Sequence, residues 1–335
     1  MSKKILIISP SWIGDCVMTQ PLYRRLHTLY PGCVIDVFAP KWSMAVFERM
    51  PEVNRVIENP FGHGALRLKE RWRSGRALGK QGYDQVIVLP GSLKSALIAA
   101  ASGIRQRTGY VGESRYFLLN DIRKLDKDRL PLMVDRYTAL AYPSQQAFNG
   151  HSDNPRFHID AASQQTALAK HHLDTGKPII AFCPGAEYGP AKRWPPAHFA
   201  ELACRYAEAG WQIWIFGSQK DFEIAEEINT LAGGFCTNLC GKTSLSEAID
   251  LLACADTVVC NDSGLMHLAA ALGRKLMAIY GSSSPDHTPP LSEQAKIISL
   301  HLECSPCFKR ECPLGHTDCL NKLTPQMVWD KAHES

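Results

Sequence analysis

Short runs of β-branched and other apolar residues alternate along the chain with longer segments whose apolar residues recur at helical spacing. This alternation is typical of a parallel β-sheet covered by helices on both faces. The pattern occurs twice, and 335 residues fit two domains of about 150 residues each. The sequence therefore predicts an α/β protein with two Rossmann-like, doubly wound parallel-sheet domains in tandem. If the two domains face each other, ligands would bind in the central cleft between them.

The predicted strands are Lys4–Ser9, Val34–Ala39, Arg55–Glu58, Gln85–Leu89 and Ile104–Gly109 in the first half, and Ile179–Cys183, Gln212–Gly217, Thr257–Cys260, Leu276–Tyr280 and Lys296–Leu300 in the second. The predicted helices lie near 15–29, 41–50, 65–80, 93–102 and 131–142, and then near 197–209, 219–232, 244–254 and 263–272.

The polar stretch from about Asn149 to Lys177 is rich in Ser, Asn, Asp and Gln and marks the connection between the domains. We expect an N-terminal domain over 1–160, a linker or hinge over 161–177 and a C-terminal domain over 178–323. Thr324 and Pro325, followed by an apolar pattern, predict a last helix over 324–335.

Charge is distributed unevenly between the halves. The whole chain has 37 Lys and Arg against 33 Asp and Glu, a net charge of +4. Residues 1–150 carry +10 and the remainder −6, which suggests different ligands for the two halves. An apolar content of 45% supports a core in each domain and excludes a disordered or fibrous chain.

The N-terminus offers no export or membrane signal. Four apolar residues, Ile5–Ile8, follow the basic start and are too few for a signal peptide. No apolar run reaches the roughly 18–20 residues of a membrane span. We expect a cytoplasmic protein whose basic face allows peripheral contact with the inner face of an anionic membrane. The twelve Cys are then mostly reduced core residues.

Ligands of open α/β sheets bind at the carboxyl ends of the strands, so the loops there are the candidate sites. The first such loop, Ser9–Trp12, leads to Gly14 and Asp15. It lacks the G-x-G-x-x-G fingerprint, which disfavours NAD-type dehydrogenases. Asp15 is a candidate general base facing the cleft, although a helix dipole alone also favours an Asp in the first turn.

Two loops of the second half suit a phosphate. Pro184–Pro195 combines Pro and Gly with the adjacent cations Lys192 and Arg193, and Asn261–His267 places a capping Ser263 and a Gly at the start of a helix. Either stretch is also compatible with an ordinary solvated loop or a capped helix. Other small residues at strand ends could seat a nucleoside: Gly217, Ser218, Gly241 and Thr243.

Cys304, Cys307, Cys312 and Cys319 form a C-x2-C-x4-C-x6-C cluster. Its first pair has zinc-ligand spacing, but no second C-x2-C follows, so a structural zinc, a disulfide and free thiols all remain open. Asp126-Lys127-Asp128 lies in a basic stretch without a preceding strand and is interpreted as solvated charge.

Four motifs together resemble those of one enzyme family, and they occur in both halves and in the expected order. The motifs are Pro10-Ser11-Trp12-Ile13-Gly14-Asp15, Pro184-Gly185-Ala186-Glu187-Tyr188-Gly189-Pro190-Ala191-Lys192-Arg193-Trp194-Pro195, Asn261-Asp262-Ser263-Gly264-Leu265-Met266-His267 and Tyr280-Gly281-Ser282-Ser283-Ser284-Pro285-Asp286. The chain resembles the ADP-heptose:lipopolysaccharide heptosyltransferases, glycosyltransferase family 9 with the GT-B fold.

The resemblance implies inverting, metal-independent transfer of L-glycero-D-manno-heptose from ADP-heptose to the first heptose of the lipopolysaccharide inner core, with no cofactor. Asp15 would be the catalytic base and Lys192 the cation on the donor diphosphate. Asp262, Ser263, Gly264 and His267 would form the donor-binding loop. The remaining residues expected at the donor are Pro184, Gly185, Ala186, Gly217, Ser218, Gly241 and Thr243.

The resemblance also implies a binding partner for the basic first half, namely the anionic Kdo2-lipid A part of the acceptor. Its candidate cations are Arg67, Lys69, Arg71, Arg73, Arg76 and Lys80 on one helix, and Arg105 and Arg107 after a strand end. Ser11, Trp12 and Gly14 are the acceptor-side candidates beside the base. A charged run can also be a plain solvated face. No nucleic-acid recognition module is found.

Other functions stay open on the residues alone. The chain could use Kdo2-lipid A itself as acceptor, as heptosyltransferase I does, or be another GT-B nucleotide-sugar transferase or a UDP-sugar epimerase. A non-catalytic sugar-nucleotide- or lipid-binding protein is disfavoured by Asp15, because binding alone needs no base there. The sequence does not give the oligomeric state.

Overall fold

A computed structural model of the chain describes residues 2–62, 66–144 and 147–334. The chain divides into two compact units, residues 1–155 and 156–335. Each unit contains one six-stranded sheet in which all recorded strand pairs are parallel. The α/β prediction with two doubly wound sheets is therefore confirmed.

The first sheet has the order β3-β2-β1-β4-β5-β6. Its strands are β1 (Lys4–Ile8), β2 (Val34–Pro40), β3 (Arg55–Asn59), β4 (Gln85–Val88), β5 (Gln106–Tyr110) and β6 (Asp121–Arg123). The helices of this unit are α1 (Ile13–Met18), α2 (Gln20–Leu29), α3 (Met44–Glu48), α4 (Leu68–Gly79), α5 (Leu93–Ser102) and α6 (Met133–Ala139). The helix predicted near 65–80 corresponds to α4, and its predicted start at residue 65 lies outside the described residues.

The second sheet has the order β12-β11-β10-β7-β8-β9. Its strands are β7 (Ile179–Cys183), β8 (Gln212–Ile215), β9 (Thr237–Asn238), β10 (Thr257–Asn261), β11 (Lys275–Ile279) and β12 (Ala295–Ile298). The helices are α7 (Ala161–Lys170), α8 (Pro196–Glu208), α9 (Phe222–Ala232), α10 (Leu245–Leu252), α11 (Gly264–Ala271), α12 (Asp318–Asn321) and α13 (Pro325–His333).

The central strands are buried on both faces, as expected for parallel sheets covered by helices. Every residue of β4, β7 and β10 is buried. The strands that sequence patterning missed, β6 and β9, have three and two residues and lie at the sheet edges. Short edge strands bury little apolar surface and so leave little pattern to detect.

The stretch predicted as a linker over 161–177 contains helix α7. Asp160 caps this helix by accepting hydrogen bonds from the amides of Ala162 and Ser163. The Ser163 hydroxyl donates to the Asp250 carboxylate at 2.9 Å, which ties α7 to α10. Before the helix, the Phe157 amide donates to the Ala271 carbonyl at 3.0 Å. These contacts make α7 an integral part of the second unit.

The predicted last helix is confirmed as α13, which begins after the capping residue Thr324. Trp329 of α13 packs on Tyr206 of α8, with ring centroids 4.9 Å apart. The helix therefore joins the hydrophobic core of the second unit. None of the helices formed by the described residues is long and apolar enough to cross a membrane.

Candidate active site

Asp15 lies at the carboxyl end of β1, in the first turn of α1. Trp12 is the N-cap residue, and its carbonyl accepts a hydrogen bond from the Cys16 amide at 2.9 Å. Burial raises the pKa of the Asp15 carboxyl to about 6, and a hydrogen bond with Tyr137 of α6 opposes the shift. The pKa of the Asp15 carboxyl therefore lies close to neutral pH, as a general base requires.

Two exposed tryptophans belong to, or are bonded to, the loop that precedes Asp15. The Trp12 side chain is 55% exposed and the Trp42 side chain 43%. The Trp42 indole nitrogen donates to the Ser11 carbonyl at 2.9 Å, which fixes the loop before α1. Gly14 is buried within the helix. Ser11 and Trp12 thus lie in the loop directly before the helix that carries Asp15, and their contact with an acceptor stays a prediction.

The basic run on α4 divides into exposed and buried cations. Arg71 is only 3% exposed, its Nε donates to the Leu66 carbonyl at 2.8 Å, and its guanidinium lies 4.3 Å from the Phe61 ring centre. The prediction of Arg71 as an acceptor contact is therefore not supported, because the side chain is used inside the unit. Arg67 is exposed and forms an ion pair with Glu70.

Arg105 and Arg107 were predicted to follow a strand, but the structure places them at its beginning. Arg105 precedes β5 and Arg107 is its second residue. The Arg107 side chain donates to the carbonyls of Leu118 and Ile104, each at 2.9 Å. The amino ends of parallel strands lie at the edge of the sheet opposite Asp15, so this placement disfavours both residues as acceptor contacts.

In the second unit, Asn261 holds together two loops predicted to bind a phosphate. Its side-chain amide, at the end of β10, donates to the Pro184 carbonyl at 2.7 Å and accepts from the Trp194 amide at 3.1 Å. Trp194 is fully buried, and its indole nitrogen donates to the Leu323 carbonyl at 2.7 Å. Both ends of the 184–194 loop are thus fixed to the core.

Lys192 ends a short 3₁₀ helix, Pro190–Lys192, and meets Asp262. The Nζ–Oδ2 distance is 2.5 Å, and both side chains are largely buried. The Tyr188 ring lies 5.1 Å from the Lys192 ammonium and 5.4 Å from the Arg310 guanidinium. Two cations, Lys192 and Arg310, therefore lie against the Tyr188 ring, and Lys192 is paired with the Asp262 carboxylate.

His267 lies one turn into α11 and is 6% exposed. Burial lowers its pKa to about 4, with Lys192 acting in the same direction and Asp262 opposing. The imidazole is therefore neutral at physiological pH. Ser263 occupies the N-cap position as predicted, but its side chain makes no capping hydrogen bond. Its hydroxyl lies 3.4 Å from the Cys260 sulfur instead.

Three of the small residues expected near the donor, Gly185, Gly217 and Ser218, lie against Asp221. Its carboxylate accepts hydrogen bonds from the Ser218 amide at 2.9 Å and the Ser218 hydroxyl at 2.8 Å. A Cβ at Gly185 would come within 2.5 Å of that carboxylate, and one at Gly217 within 2.7 Å of the Asp221 Cβ. Gly241 has a φ of +70°. Gly185, Gly217 and Gly241 therefore meet local steric demands, while Ala186 is buried and Thr243 partly exposed.

Sequence reasoning assigned no role to several polar residues of these sites. Tyr137 and Asn261 act through partners far away in the chain, which no local pattern reveals. The hydroxyls of Ser282 and Ser283 are buried and lack a hydrogen-bond partner in the described part of the chain. Both follow β11 at the same sheet edge as Asp262, so they are further candidates for contact with a polar ligand.

The four Cys of the C-terminal cluster line one small cavity together with His316. All four are free thiols. Burial raises the pKa of Cys319, and the neighbouring thiols act in the same direction. Within residues 2–62, 66–144 and 147–334, no group of three or more His, Cys, Asp or Glu is arranged to hold a metal ion.

Comparison with known proteins places this chain among the heptosyltransferases. Lipopolysaccharide heptosyltransferase 2 of Escherichia coli (strain K12) is 47% identical over 337 residues, covering 98% of this chain and 97% of its own. Lipooligosaccharide heptosyltransferase 2 of Haemophilus influenzae is 47% identical over 342 residues, covering 98% of each chain.

The solved structure of E. coli ADP-heptose lps heptosyltransferase II superimposes with a TM-score of 0.87 at 44% identity, covering 98% of this chain and 97% of the other. The profile of Glycosyltransferase family 9 (heptosyltransferase) matches residues 71–318. The match spans well over half of the chain and includes Lys192, Asp262 and His267. The chain therefore belongs to glycosyltransferase family 9, the heptosyltransferases.

Proposed function

We propose that this heptosyltransferase moves L-glycero-D-manno-heptose from ADP-heptose to the first heptose of heptosyl-Kdo2-lipid A, inverting the anomeric carbon and using no metal. The chain is an enzyme of lipopolysaccharide inner-core synthesis. The observation that carries the proposed chemistry is the Lys192–Asp262 pair beside a neutral His267, at the sheet edge where α/β proteins bind ligands.

The donor diphosphate is proposed to bind at Lys192. The ammonium group supplies a charge-assisted hydrogen bond to a phosphate oxygen, while Asp262 holds the ammonium in place. The amides at the start of α11 are not satisfied by the Ser263 side chain and point their dipole toward the same edge. His267, being neutral, adds a hydrogen-bonding group but no charge. Lys192 is thus the main electrostatic partner of the leaving group.

The nucleoside is proposed to lie against the Gly217–Ser218 and Gly241–Thr243 segments. Ser218 is already engaged with Asp221, so it shapes this wall rather than offering a free hydroxyl. The close approach of Gly185 and Gly217 to Asp221 keeps the wall thin. The Gln219 side chain fills the space beside Gly241 in the same way, so a base bound here would pack against glycine backbone and the Asp221 and Gln219 side chains.

Asp15 is proposed to be the general base. An acceptor hydroxyl attacks the anomeric carbon on the face opposite ADP, its proton passes to the Asp15 carboxylate, and the bond to the diphosphate oxygen breaks. With a pKa of about 6, Asp15 is about nine-tenths ionised at pH 7 and still basic enough to accept the proton. The Tyr137 hydroxyl holds the carboxylate in place.

Charge develops on the leaving diphosphate as the bond breaks. Lys192 and the α11 amides bind a more negative oxygen more strongly, so they stabilise the transition state more than the ground state. We therefore propose that the second unit binds the donor and the first unit the acceptor. Activity should persist in excess EDTA, because Lys192 supplies the positive charge.

The test is incubation with a panel of nucleotide heptoses and hexoses and with two lipid acceptors, with product mass as the readout. The proposal expects a gain of one heptose from ADP-heptose on the mono-heptosylated acceptor alone. A gain on Kdo2-lipid A lacking heptose would assign the preceding transfer step instead. Consumption of ADP-heptose without a glycosylated product would contradict the proposed transfer.

A further inference from the structure

A cavity of about 820 Å³ lies between the amino-terminal turns of α4 and α5. Its volume falls in the range of about 300–1,000 Å³ that is typical of ligand sites. Leu68 and Trp72 on α4 and Leu93 and Leu97 on α5 are each four residues apart, so each pair presents one apolar face to the cavity. Leu66 and Leu118 complete the apolar wall.

The packing of the two helices explains why the cavity lies at this end. A Cβ at Gly75 would come within 2.5 Å of the Ile98 carbonyl oxygen, and one at Gly79 would overlap the Ser102 carbonyl. The helix backbones are therefore in contact near these glycines. The first turns carry Leu68, Trp72, Leu93 and Leu97 instead of glycines, and the cavity lies between them.

The apolar wall is exposed to an unusual degree. Leu66, Leu68, Trp72 and Leu93 are 56%, 48%, 50% and 41% exposed. A contiguous apolar surface of this kind usually marks a binding site, because leaving it in water costs free energy. Its position at the carboxyl ends of β3 and β4 is the sheet edge that also carries Asp15.

Cations surround this apolar wall. Lys69, Arg73 and Lys94 line the cavity, and no ion pair joins any of them to another residue that the structure describes. The single acidic lining residue, Glu113, accepts a hydrogen bond from the Leu93 amide at 3.0 Å and so caps α5. The site thus combines an apolar interior with a positively charged rim, which is complementary to an anionic amphiphile.

We propose that this cavity takes one acyl chain of the anionic lipid that carries the acceptor sugar, with Lys69, Arg73 and Lys94 meeting its phosphate or carboxylate groups. The proposal rests on the proposed function for the identity of the lipid. A chain bound in this cavity would bring the acceptor sugar of the lipid to the sheet edge that carries Asp15.

The test uses a dodecyl phosphate with two bromine atoms on its chain, titrated below its micelle concentration, because bromine quenches tryptophan fluorescence on contact. We expect quenching in the parent that is reduced in Trp72→Phe. Shortening the chain by two CH₂ groups should weaken binding about tenfold. The double substitution Leu68→Gln and Leu97→Gln should weaken binding by a similar factor. The control is Leu29→Gln, at a partly exposed position on α2, which should leave binding unchanged.

Absence of a Trp72 contribution, or an affinity independent of chain length, would overturn the proposal. So would a double variant that binds the monomeric amphiphile normally and loses only adsorption to phosphatidylglycerol vesicles, since the surface would then contact a bilayer rather than a chain. The binding assay needs no turnover. If quenching is observed but no heptose transfer occurs, the proposed function fails and the lipid site stands.

Discussion

Replacing Asp15 by Asn should stabilise the first unit at neutral pH, even though it removes the proposed base. The pKa of Asp15 is about 6 in the fold against an ordinary value of 3.8. Ionising this carboxyl therefore costs the folded state free energy, a cost that is absent below pH 3.8 and complete above pH 6. Asn keeps the size of the side chain and cannot ionise, so the variant avoids this cost.

The size of the effect follows from the shift. Two pKa units correspond to about 3 kcal/mol at pH 7. The gain should fall to about 1.5 kcal/mol at pH 5 and close to zero at pH 3. Such a gain is large compared with the overall free energy of unfolding of about 5–15 kcal/mol that is usual for a domain. It would mean that the parent protein gives up stability at Asp15 for activity.

The assay is hydrogen exchange of the buried β1 amides at increasing urea, which follows unfolding of the first unit alone. Parent and variant are compared at each pH. Asp36→Asn provides a control of opposite sign: although burial opposes it, hydrogen bonds from Asn54, Tyr83 and Arg55 lower the pKa of Asp36. That variant should lose stability at neutral pH and regain it in acid. A stability difference for Asp15→Asn that does not vary with pH would refute the reasoning.

Three further predictions concern turnover and the donor loops. The rate of heptose transfer should fall about tenfold from pH 7 to pH 5 as Asp15, with its pKa of about 6, becomes protonated; a flat profile measured over this range with the parent enzyme would argue against Asp15. Lys192→Gln should weaken ADP binding about 10- to 100-fold by calorimetry, as expected for a lost charged hydrogen bond, while Lys170→Gln, which breaks the remote pair with Glu247, should leave ADP binding unchanged. Asn261→Ala should lower the stability of the second unit by about 2–4 kcal/mol in urea unfolding, because the Pro184 carbonyl and the Trp194 amide lose their partner; a loss below about 0.5 kcal/mol would mean that water replaces the amide.

The fold was predictable from the sequence because its central strands are continuous apolar runs. Strands such as β7 and β10 are buried throughout, and their pattern needs no knowledge of partners. The helix α7 was missed for the opposite reason. Its residues are mostly polar or small, and its stability comes from contacts with Asp250, which is distant in the chain.

The candidate site was predictable only as far as strand ends could be located. Lys192 and Asp262 follow different strands, and their pairing follows from the rule that strand carboxyl ends share one edge. Arg107 was placed wrongly because nothing in the sequence shows that β5 begins at Gln106, which puts Arg107 at the amino edge of the sheet. Arg71 shows another limit, since a charge run does not reveal that one of its members stacks on Phe61.

The apolar cavity between α4 and α5 was not visible in the sequence. Leu68, Trp72 and Gly79 keep helical spacing, and the apolar face of an amphipathic helix usually packs on a core. The structure instead leaves Leu68 and Trp72 about half exposed, because Gly75 brings the helices into contact further along. Which turns of a helix are exposed depends on how two helices approach each other, and the apolar periodicity of a single helix does not reveal this.

The role of Asp15 is tested most directly by single-turnover transfer with Asp15→Asn, with ADP affinity measured on the same sample. We expect the rate of the chemical step to fall about 10²- to 10⁴-fold while ADP binding changes less than about twofold, since Lys192 and α11 hold the nucleotide. A rate near that of the parent would contradict the assignment of Asp15 as the base.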